Sequence, residues 1–189
     1  MYQVCAACVT RRSDAAAQGS SLLVRSACSS DIRTARILLT AEPTLARHDL
    51  ATACVTGEAE EVRGRLARDP AAVHRKLAPA GWEPLLYACF SRFLRASNER
   101  ARGIIQVVRI LLAAGADPNV CWYDGEFREL PIYAAAGIAN SPELTRMLGG
   151  QSRGPGRGMD QGPQGRDGAG RSETVTLTAS GESVTQSRR

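Results

Sequence analysis

The sequence predicts an all-α fold: a solenoid of about four helix–turn–helix units between disordered ends. Three observations predict it. First, apolar helical runs end repeatedly at an acid followed by proline, at Glu42-Pro43, Asp69-Pro70 and Asp117-Pro118. Proline cannot continue a helix, and an acid before it suits a turn. Second, a different helix of each unit carries a recurring small pair: Ala27-Cys28, Ala53-Cys54, Ala88-Cys89 and Ala135-Ala136. Third, the chain beyond Leu148 is dense in glycine and proline. Such a segment buries too little apolar surface to offset its ordering entropy.

Residues 1–20 read as a flexible leader. Ala15-Ala16-Ala17 suits a short helix, which Gly19-Ser20-Ser21 is expected to end. The first unit covers about 21–45, with Ile32, Ala35, Leu38 and Leu39 on one helical face. The second covers about 46–78, with Val62 and Leu66 on its stripe. The third, about 79–124, has a longer stripe of Ala101, Ile104, Ile105, Val108, Leu111 and Leu112. Its helix is expected to stop at Gly115, before the turn at Asp117-Pro118. The third unit is long because residues 91–100 are inserted before that helix. Ser97 or Asn98 is a suitable N-cap for a helix running to about Ala114. The connection from Cys121 to Arg128 is also lengthened. The fourth unit covers about 125–148, where Gly149-Gly150 arrives in place of a further helical turn. Residues 149–189 form the tail, which reads either as disordered or as an out-of-frame gene end.

The segment Glu83-Pro84-Leu85-Leu86-Tyr87-Ala88-Cys89 resembles the Thr-Pro-Leu-His-x-Ala-Ala opening of an ankyrin repeat. Glu83 stands for the threonine and Leu86 for the histidine. Leu130-Pro131-Ile132-Tyr133-Ala134-Ala135-Ala136 resembles the same opening, with Leu130 and Tyr133 in those two places. Gly115-Ala116-Asp117-Pro118-Asn119-Val120 is similar to the close of such a repeat. The Arg-Asp-Pro-Ala-Ala-Val stretch and the Ala- and Arg-rich helices are similar to bacterial ankyrin-repeat proteins. The resemblance spans roughly residues 21–148. It implies stacked helix pairs with finger loops, and a module that binds a protein partner without catalysis. The two missing side chains are those that tie turn to helix in the family.

Composition narrows the alternatives. The net charge is +5, and the cations are almost all arginine, dispersed along the chain. A dispersed charge is weak support for nucleic-acid binding. That reading remains the rival, carried by Ser152-Arg153-Gly154 and Gly156-Arg157-Gly158 in the tail. Asp160, Asp167, Glu173 and Glu182 offset most of the tail's arginines. No stretch approaches the apolar length of a membrane span, and no signal peptide is legible. A cytoplasmic monomer is expected. Cys28, Cys54 and Cys89 occupy equivalent positions and are expected to be small buried hydrophobes in a reduced compartment.

No catalytic, cofactor or metal site is expected. Cys5-Ala6-Ala7-Cys8 has metal spacing but no partner ligands at usable distance in the sequence. His48 suits a turn, His74 a connecting loop. Glu58, Glu60 and Glu61 suit a helix start, where acids favour the helix dipole. The aromatic residues around the loops are the candidate contacts. Trp82, Phe90, Trp122, Tyr123, Phe127 and Arg128 are the expected partner-binding set, since Trp, Tyr and Arg anchor interfaces. The alternative for the aromatics is local, with the loop folding them onto its own helix pair.

Overall fold

The computed structural model describes residues 6–151 apart from 124, with side chains described over 14–150. All of these lie in one compact unit. The described chain is predominantly helical, with one two-stranded ribbon. The Cys5–Cys8 motif and the tail beyond Gln151 lie outside the described residues.

Helix α1 (Ala6–Cys28) pairs with α2 (Ile32–Ala41), and α3 (Leu50–Thr56) with α4 (Ala59–Arg68). Helix α5 (Pro84–Phe90) pairs with α7 (Asn98–Ala113), and the one-turn α6 (Phe93–Ala96) stands between them. A short α8 (Pro131–Tyr133) runs into a π-helical stretch, Ala134–Ile138, and packs on α9 (Pro142–Gln151). Helices α1, α3, α5 and α8 touch in succession, as do α4, α7 and α9. The core lies between these two rows. Ala27, Ala53, Ala88 and Ala135 are each wholly buried within it. Alanine there lets paired helices approach closely, while Val62, Ile104, Val108, Leu111, Leu144 and Leu148 fill the seam.

The helix ends follow the sequence signals. Helix α2 stops at Ala41 and α4 at Arg68, and Pro43 and Pro70 each open a short 3₁₀ turn. Ser97 caps α7, accepting from the Arg100 amide. Gly57 ends α3 at φ 82° and Gly115 follows α7 at φ 97°, left-handed positions that suit glycine. The Asp117 carboxylate accepts from the Asn119 amide at 2.9 Å, closing the expected turn.

Three expectations need correction. Gly19-Ser20-Ser21 does not end the leader helix, and α1 runs unbroken through it. The Ser20 hydroxyl donates to the Ala17 carbonyl at 2.9 Å, and Gly19 sits against the Leu45 side chain. Local helix cost is outweighed there by packing. Gly149-Gly150 likewise does not end α9, which continues to Gln151. The run from Leu130 to Ala136 is not a plain α-helix. The Ala139 amide donates to the Ala134 carbonyl, one residue wider than an α-turn, and small side chains permit the widening.

The inserted residues have a definite place. The Arg92 amide donates to the Ala27 carbonyl at 2.8 Å, at the end of α1. The Ser91 hydroxyl donates to Val55 O at 2.6 Å, and Arg100 Nη1 donates to Thr56 O at 2.9 Å. Arg36 Nη2 on α2 donates to Ala96 O at 2.7 Å. The insert therefore satisfies the last carbonyls of α3 and joins the third helix pair to the first.

Candidate functional site: the last finger and its aromatic base

The two connections that follow 3₁₀ or glycine turns are built differently. Before α5, the Leu77 amide donates to Trp82 O at 2.9 Å in an isolated bridge. The Tyr87 hydroxyl closes this hairpin onto its helix. It accepts from the Ala80 amide at 2.9 Å and donates to Leu77 O at 2.8 Å. The tether from hairpin to helix is thus the Tyr87 hydroxyl. Burial raises the Tyr87 pKa, against the opposing effect of the Ala80 hydrogen bond. Before α8, Trp122–Tyr123 pairs with Arg128–Glu129 as an antiparallel ribbon, with Trp122 opposite Glu129 and Tyr123 opposite Arg128. Gly125 at the tip has φ 105° and accepts from the Tyr123 hydroxyl at 2.7 Å.

The aromatic residues divide into two groups. Trp82 is the hub of the first. Its ring lies 5.3 Å from Tyr87, 4.9 Å from Phe90 and 5.7 Å from Trp122 between centroids. Such tilted and edge contacts stabilise beyond area alone. Phe90 is 4% exposed, so its expected role as a surface contact is corrected: it packs inside α5, under Trp82. Trp82 and Trp122 are half-buried. Their rings fasten the ribbon to the third helix pair, which is the local alternative the sequence left open. The Trp82 Nε1 and Glu129 Oε2 atoms are buried without a hydrogen-bond partner among the described residues.

The second group faces solvent. Tyr123 and Phe127 are each 60% exposed, and Arg128 is exposed beside them. Alternation along a strand separates Trp122 from Tyr123, because neighbouring side chains point to opposite faces, while Phe127 lies in the loop between the strands. Trp122 turns inward and Tyr123 outward. Ile132 and Tyr133 on α8 are also exposed, and the sequence did not place them among the expected contacts. Their signal was available: Pro131 fixes the helix start, and the next two residues precede the buried Ala134 and Ala135.

The remaining candidates have structural roles. His48 Nδ1 lies 3.2 Å from Asp49 Oδ2. Asp49 caps α3, accepting from the Thr52 amide while the Thr52 hydroxyl accepts from the Asp49 amide. Burial opposes the Asp49 charge, but the hydrogen bonds it accepts, from the Thr52 amide first and then from His48, outweigh it and hold the pKa below its ordinary value. His74 lies 3.8 Å from Glu83, whose pKa is raised by burial. Glu58 meets Arg47 at 2.8 Å and Glu61 meets Arg65 at 2.7 Å. Cys54 and Cys89 are fully buried, Cys28 is partly exposed and Cys121 is exposed. Desolvation pushes the Cys89 thiol to about 12 and raises Cys54 also. Thiols held in that form are poor nucleophiles.

Among the described residues, no group of three or more His, Cys, Asp or Glu could hold a metal ion. No helix among them is long and apolar enough to cross a membrane. Compared with family models, with curated proteins and with solved structures, the chain gives no match, so its functional reading stands on this geometry.

Proposed function

We propose that this chain is an ankyrin-type repeat module that recognises a protein partner, without catalysis, through its last finger. The observation that carries the reading is the division of the finger's aromatics. Trp122 is anchored on Trp82, while Tyr123 and Phe127 are 60% exposed on the same ribbon. A fixed base with exposed rings loses little conformational entropy on docking. Tyr and Arg are common interface anchors, so Tyr123, Phe127 and Arg128 are the contact residues, extended by Ile132 and Tyr133. Trp82 and Trp122 are positioning residues. The ankyrin reading itself is supported by the motif resemblance and by successive helix pairs, with hairpin pairing before α5 and before α8. A reducing compartment such as the cytoplasm suits the buried thiols of Cys54 and Cys89.

A photo-crosslinking side chain at position 123 or 127 tests the reading. The expected result is one predominant protein adduct that the Tyr123→Ala, Phe127→Ala double variant fails to co-purify, with its melting temperature unchanged. Undiminished co-purification by that folded double variant would remove the finger as the site. Salt-sensitive RNA capture in place of a protein adduct would favour the nucleic-acid reading.

A further inference from the structure

Away from the finger, a cleft of about 350 Å³ opens between α2 and the α6–α7 corner. Arg36, Leu39 and Thr40 line one wall, and Phe93, Ser97 and Arg100 line the other. Leu39 and Phe93 are buried and form an apolar floor. No carboxylate lines it.

The two guanidinium groups are held in an unusual way. Arg36 is anchored by Ala96 O and Arg100 by Thr56 O, through one nitrogen each. A carbonyl oxygen fixes a guanidinium without cancelling its charge. Arg36 has no carboxylate within ion-pair distance among the described residues. Glu58 approaches Arg100 only to 3.9 Å and lies closer to Arg47, at 2.8 Å. Arg100 is further fixed over the Phe93 ring, 5.2 Å from its centroid, a favourable cation–π placement. Ser97 accepts from the Arg100 amide, leaving its hydroxyl hydrogen to donate. Thr40 donates to Arg36 O at 3.0 Å and so contributes an oxygen wall rather than a donor.

The cleft thus holds two planar forks with spare N–H groups and one spare hydroxyl donor. A carboxylate has two oxygens for them; a phosphate monoester has three and a second charge. Guanidinium–phosphate pairing is charge-assisted and shape-matched. We propose that this cleft is a binding site for a phosphate dianion, carried on a monoester or as the free ion. This goes beyond the finger reading and does not depend on it. A bound dianion would also link α2 to α7, adding to the ties that Arg36 and Arg92 make between the first and third helix pairs.

The test uses the full chain, labelled for NMR, and three probes: inorganic phosphate, a short phosphoserine peptide and its unphosphorylated twin. The expected result is saturable shifts at Arg36, Thr40, Phe93 and Ser97 with a phosphate-bearing probe and none with the unphosphorylated peptide. Tighter binding of the peptide would assign the source to a phosphorylated side chain; tighter binding of inorganic phosphate would assign it to the free ion. Arg36 is exposed, so Arg36→Gln should fold normally and weaken binding about tenfold, and Arg36→Lys should recover part of it. Equal shifts from both peptides, shifts centred elsewhere, or unchanged affinity in folded Arg36→Gln would each overturn the proposal. None of these results bears on the Tyr123 and Phe127 experiment.

Discussion

At the scale of single residues, Tyr87 shows how one hydroxyl ties a hairpin to its helix. Its hydroxyl bridges Ala80 and Leu77 across the hairpin that precedes α5. Tyr87→Phe removes that bridge and keeps the ring against Trp82. The expected loss is about 0.5–1.5 kcal/mol in chemical denaturation, with faster amide exchange at Ala80. Wild-type stability and exchange would show that the hydroxyl is not a tether. Asp49 supplies a second case. Its pKa is lowered in the fold, so its contribution is present above the ordinary value of 3.8 and lost as pH falls through the lowered one. Asp49→Ala should cost about 1 kcal/mol at neutral pH. Asp49→Asn should retain most of the cap and flatten the acid limb of the stability curve. An unchanged acid limb in Asp49→Asn would place that titration elsewhere. Asp49 was not singled out from the sequence, where its neighbour His48 was read as a turn residue. The reciprocal bond with Thr52 needed coordinates, because a threonine in that place is equally at home inside a helix.

At the scale of elements, the end of α3 and the first half of α7 approach each other closely at two glycines. Gly57 has φ 82°, and a Cβ there would meet Arg100 O and Ile104 N at 2.8 Å each. A Cβ on Gly103 would run into the Gly57 carbonyl. The facing atoms are backbone on both sides, so neither can rotate away. Gly103→Ala should therefore cost more than the ~1 kcal/mol that alanine ordinarily gains over glycine within a helix, and with opposite sign. A melting temperature at or above the parent's would show that the two backbones separate freely. Helix periods, proline turns and the Ser97 cap were readable along the chain because each depends on residues a few positions apart. Gly103 was not readable, since its requirement comes from a residue in another unit. The same applies to the finger. Trp122 and Tyr123 look alike in sequence, and strand pairing with Arg128 and Glu129 decides which ring turns inward. The π-helical stretch after Tyr133 escaped notice because an alanine run accommodates either turn.

At the scale of the whole molecule, a simple repeat array lets each unit touch only its neighbours. Here the insert departs from that rule. Arg92 reaches Ala27, and Arg36 reaches Ala96, so the first and third pairs meet directly around the second. Leu111→Ala, in the wholly buried seam of α7, should cost about 2–5 kcal/mol. Hydrogen exchange should show that loss shared by α1, α3 and α5 alike. If α1 instead kept parental protection while α5 lost it, the units would be opening separately. The direct contact between first and third pairs also fixes how many units can stand between them. Duplication of the middle pair, an ordinary route by which tandem arrays lengthen, would move the outer pairs apart by about one helix spacing, roughly 10 Å. No hydrogen bond spans that gap, so the descendant would lose its clasp at the moment it gained a unit. Lengthening by a helix pair is thus closed between the first and third pairs.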